Sequence, residues 1–337
     1  MRRLWPILLS LLLFAVAGAA RADSCSVTMS DVNFVSVSPI SSSNFFANGT
    51  GSVTCSWTLL STTAPFLLLF PNVQVCVNAG LGTNSTSSTP RDLGNGSNRL
   101  DYNLYRDSSY AAASIWGGPA LAATPTPISF SMTAPNLLTG GSVTQSFTVY
   151  GRIPAGAALT GVKTVANSDT VYSSNFSGAA TMTYAFYNLI TPACTTGSSA
   201  SFGFQVNATV INNCTISTTP IAFGANGVLN AALRKTGTLS VQCVNNNAYQ
   251  IALNGGIVSG SVTGRQMKNS ATSEKISYQL SATLDGTIWG DGSGGTTLYS
   301  GTGNGAVQTM TMYGMVPAQG TPTPGDYKDT VTATIYF

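Results

Sequence analysis

The feature that most restricts how this chain can fold is a pattern of cysteines and landmark residues that occurs twice. The first copy opens at Cys25, reaches Phe34 nine residues on, and carries Gly51-x-Val53-x-Cys55; the second opens at Cys214, reaches Phe223 nine residues on, and carries Val241-x-Cys243. The cysteine spacings are 30 and 29. Further along, Arg91, Tyr102, Leu104 and Ile115-Trp116-Gly117 are answered in the same order by Arg265, Tyr278, Leu280 and Ile288-Trp289-Gly290. Tyr150-Gly151-Arg152-Ile153-Pro154 is answered by Tyr313-Gly314-Met315-Val316-Pro317, and Asp169-Thr170-Val171 by Asp329-Thr330-Val331. A missed repeat misassigns a whole fold, so this duplication comes before any other inference.

Between the landmarks lie short segments rich in Val, Thr, Tyr and Phe that alternate in polarity, such as 238–244, 276–284 and 331–337. Alternation with period two is the mark of half-buried strands. Clusters such as Gly94-Asn95-Gly96-Ser97 and Gly292–Gly295 separate them, and no stretch has helical period with caps. The pattern predicts an all-β chain of two β-sandwiches. The repeated spacing predicts Cys25–Cys55 and Cys214–Cys243 as disulfides, and elimination leaves Cys76 with Cys194. A metal site would need close Cys or His ligands; the chain has no histidine and no CxxC, so neither metal nor cofactor is expected.

Arg2 and Arg3, an apolar run from Leu4 to Ala20 and the small-x-small site Ala20-Arg21-Ala22 read as a signal peptide over residues 1–22. Beyond it no run is long and apolar enough for a spanning helix, so export without membrane insertion is expected. Loss of Arg2, Arg3 and Arg21 leaves 11 Lys+Arg from 14, against 11 Asp+Glu, a net charge of zero. That excludes an electrostatic footprint for nucleic acid. The expected organisation is residues 23–194 as an N-terminal domain, 195–205 as a linker, and 206–337 as a C-terminal domain.

The cysteine-flanked opening strand, the Tyr-Gly-x-x-Pro segment and the ending Pro324-Gly325-Asp326-Tyr327-Lys328-Asp329-Thr330-Val331 through Phe337 resemble the spore coat protein U domain family, which includes subunits of archaic chaperone-usher pili. The resemblance covers the second copy throughout and the first more loosely. It implies immunoglobulin-like domains, the C-terminal one lacking its last strand and completed by donor-strand complementation from an adjacent pilin subunit. A periplasmic chaperone would hold the groove beforehand and an outer-membrane usher would export the subunit. An open sheet edge is a ready pairing template, and the acceptor residues are expected at Val331, Ala333, Ile335 and Phe337. Only Asp23 and Ser24 stand between the cleavage site and Cys25, which leaves no strand to donate and resembles a two-domain tip adhesin.

Three stretches are inserted in the first copy relative to the second, and insertions carry added function. Cys55 to Asn78 spans 23 positions against 11 for Cys243 to Asn254, adding Pro65, Phe66, Leu67, Leu68, Leu69 and Phe70. Trp116 to Tyr150 spans 34 against 24, adding Leu121 and Ile128, and Tyr150 to Asp169 spans 19 against 16, adding Ala157, Ala158 and Leu159. Such apolar, nearly uncharged loops are expected at the free end, binding abiotic or host surfaces and promoting biofilm. The alternatives are a structural coat or shell protein and a glycan-binding tip with Asp101, Arg106 and Asp107 near Trp116. With no histidine, a single glutamate (Glu274) and no G-x-S-x-G elbow, acid–base and nucleophilic catalysis are not expected.

Overall fold

In the thirteen residues Phe45–Trp57, every second position from Gly49 onward is buried and the side chains between them face outward, the pattern of a strand with one face on a core. The computed structural model describes residues 23–58, 71–136 and 140–337. Strands of this kind gather around two separate hydrophobic cores, one centred on Trp116, Tyr102 and Tyr172, the other on Trp289, Tyr278 and Leu239. Among the described residues no helix is long and apolar enough to cross a membrane.

Among the described residues the first unit has twelve strands: β1 Ser24–Met29, β2 Val32–Val37, β3 Phe45–Trp57, β4 Asn72–Ala79, β5 Arg91–Asn95, β6 Asn98–Tyr105, β7 Ile128–Thr133, β8 Gly141–Ile153, β9 Thr170–Asn175, β10 Ala180–Tyr187, β11 Ser198–Phe202 and β12 Gln205–Val210. One sheet runs β1-β3-β8-β6-β5-β9-β12-β2 and the other β11-β10-β4-β7. The second unit has β13 Cys214–Thr218, β14 Leu233–Cys243, β15 Ala248–Leu253, β16 Gln266–Asn269, β17 Lys275–Ser277, β18 Gln279–Ser281, β19 Tyr299–Thr302, β20 Val307–Val316, β21 Tyr327–Lys328 and β22 Ala333–Tyr336. They form three short sheets, β13-β14-β20-β18, β19-β15-β22 and β17-β16-β21.

The duplication is visible in side-chain detail. Trp116 Nε1 donates to the Val77 carbonyl and Trp289 Nε1 to that of Ile251, each at 2.8 Å. The fully buried Arg91 donates to the carbonyls of Gly80 and Trp116, and Arg265 does the same to Asn254 and Trp289. Desolvation lowers the pKa of both guanidiniums; these carbonyls, with Asn103 Oδ1 for Arg91 and the Leu253 carbonyl for Arg265, supply the partners that a buried cation needs. These bonds make Gly80 the counterpart of Asn254, so the Asn78 alignment does not hold. The Asp-Thr-Val triplets are not equivalent either: Ser173 lies opposite Gly94 as Lys328 lies opposite Lys268. Asp169 accepts the Asn212 amide, whereas Asp329 accepts those of Ile257 and Val258 and the Tyr278 hydroxyl.

All three expected disulfides are formed. Cys25–Cys55 and Cys214–Cys243 join directly paired positions of neighbouring strands.

The expected linker at 195–205 is a correction. Within residues 198–210 Phe202, Phe204, Val206, Ala208 and Val210 are all buried in the first core, so this stretch is a strand run whose Ser, Gly and Ala content disguised it. It pairs antiparallel to β10 through β11, then antiparallel to β9 and parallel to β2 through β12. The first unit therefore extends to Val210, and Ile211-Asn212-Asn213 connects it to Cys214. At this joint Thr164 donates to Asn247 at 2.8 Å, Asn247 to Asn212, and Asn245 to the Gly161 carbonyl at 2.8 Å. Asn247 is 1% exposed. The units thus meet end to end.

Candidate functional site

Comparison of the two units exposes a site that neither shows alone. In the first, Val32 and Phe34 of β2 close over Gly49 and Gly151, and β12 fills the space between β2 and β9. In the second, Ile221 and Phe223 close over Gly237 and Gly314 in the same way, and Tyr327 of β21 stands where Tyr172 of β9 stands. Among the described residues no strand lies between them. A groove of about 950 Å³ occupies the place of β12, with Ile221, Phe223, Leu233, Met267, Ile276 and Tyr327 in its lining.

The difference extends further. β10 pairs with both β4 and β11, whereas among the described residues β22 pairs only with β15. The free edge of β22 and the groove together retrace the path that residues 198–210 follow in the first unit. Of the expected acceptor residues, Val331, Ala333 and Ile335 pack against the second core and Phe337 is half exposed. They belong to the β22 half of this path, and the groove floor is built by other residues. Sequence reasoning missed the floor because Ile221, Phe223, Met267 and Ile276 come from segments far apart in the chain.

The rim is polar and pinned. Glu274 accepts the Thr323 amide at 2.8 Å, the Thr323 hydroxyl, and the Tyr327 hydroxyl at 3.1 Å; the Thr323 hydroxyl first, then its amide, hold the carboxyl below the ordinary carboxylate pKa. The Leu229 amide donates to Thr321 Oγ1 and the Gln319 amide to the Leu229 carbonyl. An apolar floor between hydrogen-bonded lips suits an extended chain whose alternate side chains point inward.

The three insertions are not brought together. Residues 65–70 lie outside the described residues, though the flanking Thr58 and Pro71 stand at the end of the first unit away from the joint. Leu121 sits in a turn over Gly118 and Thr124, beside the Ala79 end of β4. Ile128 opens β7 opposite Val77 and is partly buried against the core. Ala157 and Ala158 are exposed but lead directly into the joint, and Leu159, 1% exposed, is core. These positions correct the expectation that Leu121, Ile128 and residues 157–159 share the free end, because strand direction, not insertion length, decides which end a loop reaches. Nor do Asp101, Arg106 and Asp107 form a pocket. Asp107 is taken up by Ser109 and Ser114, which lower its pKa, and Arg106 by the Ala113 carbonyl.

The far end does carry apolar residues that sequence reasoning passed over. Leu189 and Ile190 are 72% and 84% exposed in the loop between β10 and β11. That loop follows Tyr187, opposite Asn72, and its base is tied to β4 by Cys76–Cys194. Phe186 packs edge-on against Trp57 at 5.8 Å, which places this loop beside the far end of β3. At about 3.4 Å per residue, the 13 residues of β3 set this end about 40 Å from the joint.

The spore coat protein U domain family matches the chain over residues 11–173 and 200–334. Protein U of Myxococcus xanthus is 36% identical over 118 residues, 33% of this chain, and the chain spans 65% of that relative's length. Among solved structures, the chain is similar to a chain of the CsuC-CsuE chaperone-tip adhesion subunit pre-assembly complex from archaic chaperone-usher Csu pili of Acinetobacter baumannii, at 17% identity and a TM-score of 0.49, covering 93% of this chain and 100% of that one. It is also similar to the CupB6 tip adhesin of Pseudomonas aeruginosa, at 10% identity and a TM-score of 0.39, covering 93% and 95%.

Proposed function

The chain belongs to the spore coat protein U domain family, and on that premise we propose that it is the adhesive end subunit of a surface fibre, exported through the periplasm and fixed to the fibre through its second unit. The observation that carries this reading is the groove: the place that residues 198–210 fill in one unit stands open in its sibling. A strand from an adjacent subunit would complete it, after a periplasmic chaperone has shielded the same apolar floor and an outer-membrane usher has passed the subunit on. The inward residues Phe202, Phe204, Val206, Ala208 and Val210 set the pattern for that strand. The position matching Ala208 should be small, because Ala208 lies directly between Phe34 and Tyr172, whose counterparts are Phe223 and Tyr327.

The molecule is polar in a useful sense. Its groove lies in the unit beyond the joint, and the exposed Leu189 and Ile190 lie at the opposite end. Pro65, Phe66, Leu67, Leu68, Leu69 and Phe70, which lie outside the described residues, would by their composition add to an adhesive surface of low chemical selectivity, since apolar burial is non-directional. Abiotic and host surfaces would both be bound, with biofilm as the consequence. The test is Leu189→Asp with Ile190→Asp in cells that assemble the fibre. Attachment to polystyrene should fall at least tenfold while the melting temperature holds, as expected for exposed positions. Unchanged attachment would refute the placement of the adhesive surface.

A further inference from the structure

The first unit carries a second feature on the outer face of its larger sheet, near the joint end of β3 and β8. On the outer face of β3, β8 and β6, the rings of Phe46, Tyr105, Tyr110 and Tyr150 form a continuous cluster. Tyr110 is 4.7 Å from Phe46, 5.3 Å from Tyr105 and 6.4 Å from Tyr150, measured between centroids. The Arg152 guanidinium lies 5.1 Å over the Tyr105 ring and 5.8 Å over that of Tyr110, and donates to the Tyr105 hydroxyl at 2.9 Å. Its Nε has no acceptor among the described residues. Phe46 is 54% exposed. Tyr110 has φ +52, a conformation that non-glycine residues hold at a cost, so its backbone carries strain at the centre of the cluster.

The sibling unit provides an internal control. Phe46 pairs with Arg152 in the first unit, and Arg234 with Met315 in the second; Tyr105 pairs with Tyr150, and Ser281 with Tyr313. At the same place on the same scaffold the second unit has an exposed Arg234–Asp285 ion pair at 2.7 Å. The fold therefore does not require an aromatic cluster there. Of these rings Phe46 is exposed, Tyr110 and Tyr150 are half-buried with Arg152, and Tyr105 is buried beneath them; an exposed Phe beside a half-buried cation is costly to leave in water, whereas Tyr, Trp and Arg are favoured where a partner is bound.

We propose that Phe46, Tyr110, Tyr150 and Arg152 form a platform for a saccharide. The C–H faces of sugar rings stack on aromatic faces, and their hydroxyls or carboxylates accept from a guanidinium and exchange hydrogen bonds with phenols. The surroundings agree with this class of ligand. Asn48, Thr50, Ser146 and Thr148 lie along the same outer face and bring hydroxyl and amide groups but no charge. A purely apolar partner would leave the remaining N–H groups of Arg152 and the hydroxyls of Tyr110 and Tyr150 without acceptors.

The test uses the full mature chain and soluble oligosaccharides as probes: cello- and chito-oligosaccharides as neutral sugars, galacturonate and hyaluronan oligomers as acidic ones, titrated by calorimetry. Saturable binding of at least one series is expected. Phe46→Ser should weaken it tenfold or more without a change in melting temperature, because that ring is mostly exposed, and Arg234→Met should leave it intact. Arg152→Met should weaken acidic and neutral sugars alike if it contacts hydroxyls, and acidic sugars alone if it contacts a carboxylate. The proposal fails if no series binds saturably, if Phe46→Ser leaves affinity unchanged, or if the patch instead retains only protein.

Discussion

If the second unit lacks only the strand run that residues 198–210 give the first, it can be completed from within its own chain. Ala180 lies opposite Ala79 and Ala333 opposite Leu253, which matches Tyr184 to Phe337. A copy of residues 185–210 appended after Phe337, with Cys194→Ser in the copy, would therefore enter the free edge of β22 in register and continue into the groove. The comparison is an identical extension with Phe202→Ser, Val206→Ser and Val210→Ser in the copy. These three side chains are buried in the first unit, and burial of each is worth about 1.5 to 3 kcal/mol, so the two extensions should differ by up to about 5 to 9 kcal/mol. For a unit of this size each kcal/mol moves the midpoint by roughly 2 to 8 °C, so the apolar extension should melt at least about 10 °C above its serine control. Differential scanning calorimetry of the two chains is the assay. Equal melting of the second unit would refute the reasoning, since an apolar groove that cannot tell Phe and Val from Ser is not a strand site.

Other consequences are narrower. Arg265→Met should destabilise the second unit by about 2 to 5 kcal/mol, because the buried carbonyls of Leu253 and Trp289, and the part-buried one of Asn254, lose their shared donor, and the first transition in a thermal scan should stay put. Cys76→Ser with Cys194→Ser should lower the stability of the first unit by about 2 to 4 kcal/mol and raise protease sensitivity at Leu189–Pro192, whose base the disulfide ties. The Glu274 carboxyl has a folded pKa below its ordinary value, so its hold on Thr323 is complete above about pH 4.3 and is lost as pH falls through the lower folded value. The protection of the Thr323 amide, its exchange relative to the intrinsic rate at each pH, should therefore fall only in acid, and Glu274→Gln should remove that dependence.

The strand character of both copies and the cysteine pairing follow from sequence because they rest on local periodicity and repeated spacing, which neighbours along the chain already encode. The buried arginines stood among the landmarks, but only the structure shows why: each satisfies the backbone carbonyl of a core tryptophan that lies far along the chain. Residues 195–205 misled for the opposite reason. Their small polar letters resemble a linker, and the alternation of Phe202, Phe204, Val206, Ala208 and Val210 acquires meaning only once β2 and β9 stand on either side. The same holds for the insertions. Composition marks Leu121, Ile128 and Leu159 as apolar, yet whether a side chain ends in a turn, an edge strand or the core depends on which strand precedes it and which way that strand runs.

The sequence alone therefore determined the class of fold, its duplication and its covalent staples, all of them properties of segments. Tertiary structure decided that one unit is closed by its own chain, while among the described residues nothing covers the matching groove of the other. That difference resides in no single residue. It arises because a groove consists of segments 220–229, 265–276 and 316–330 meeting in space, and apolar side chains that read as core in isolation become a binding surface when the strand that would cover them is not beside them.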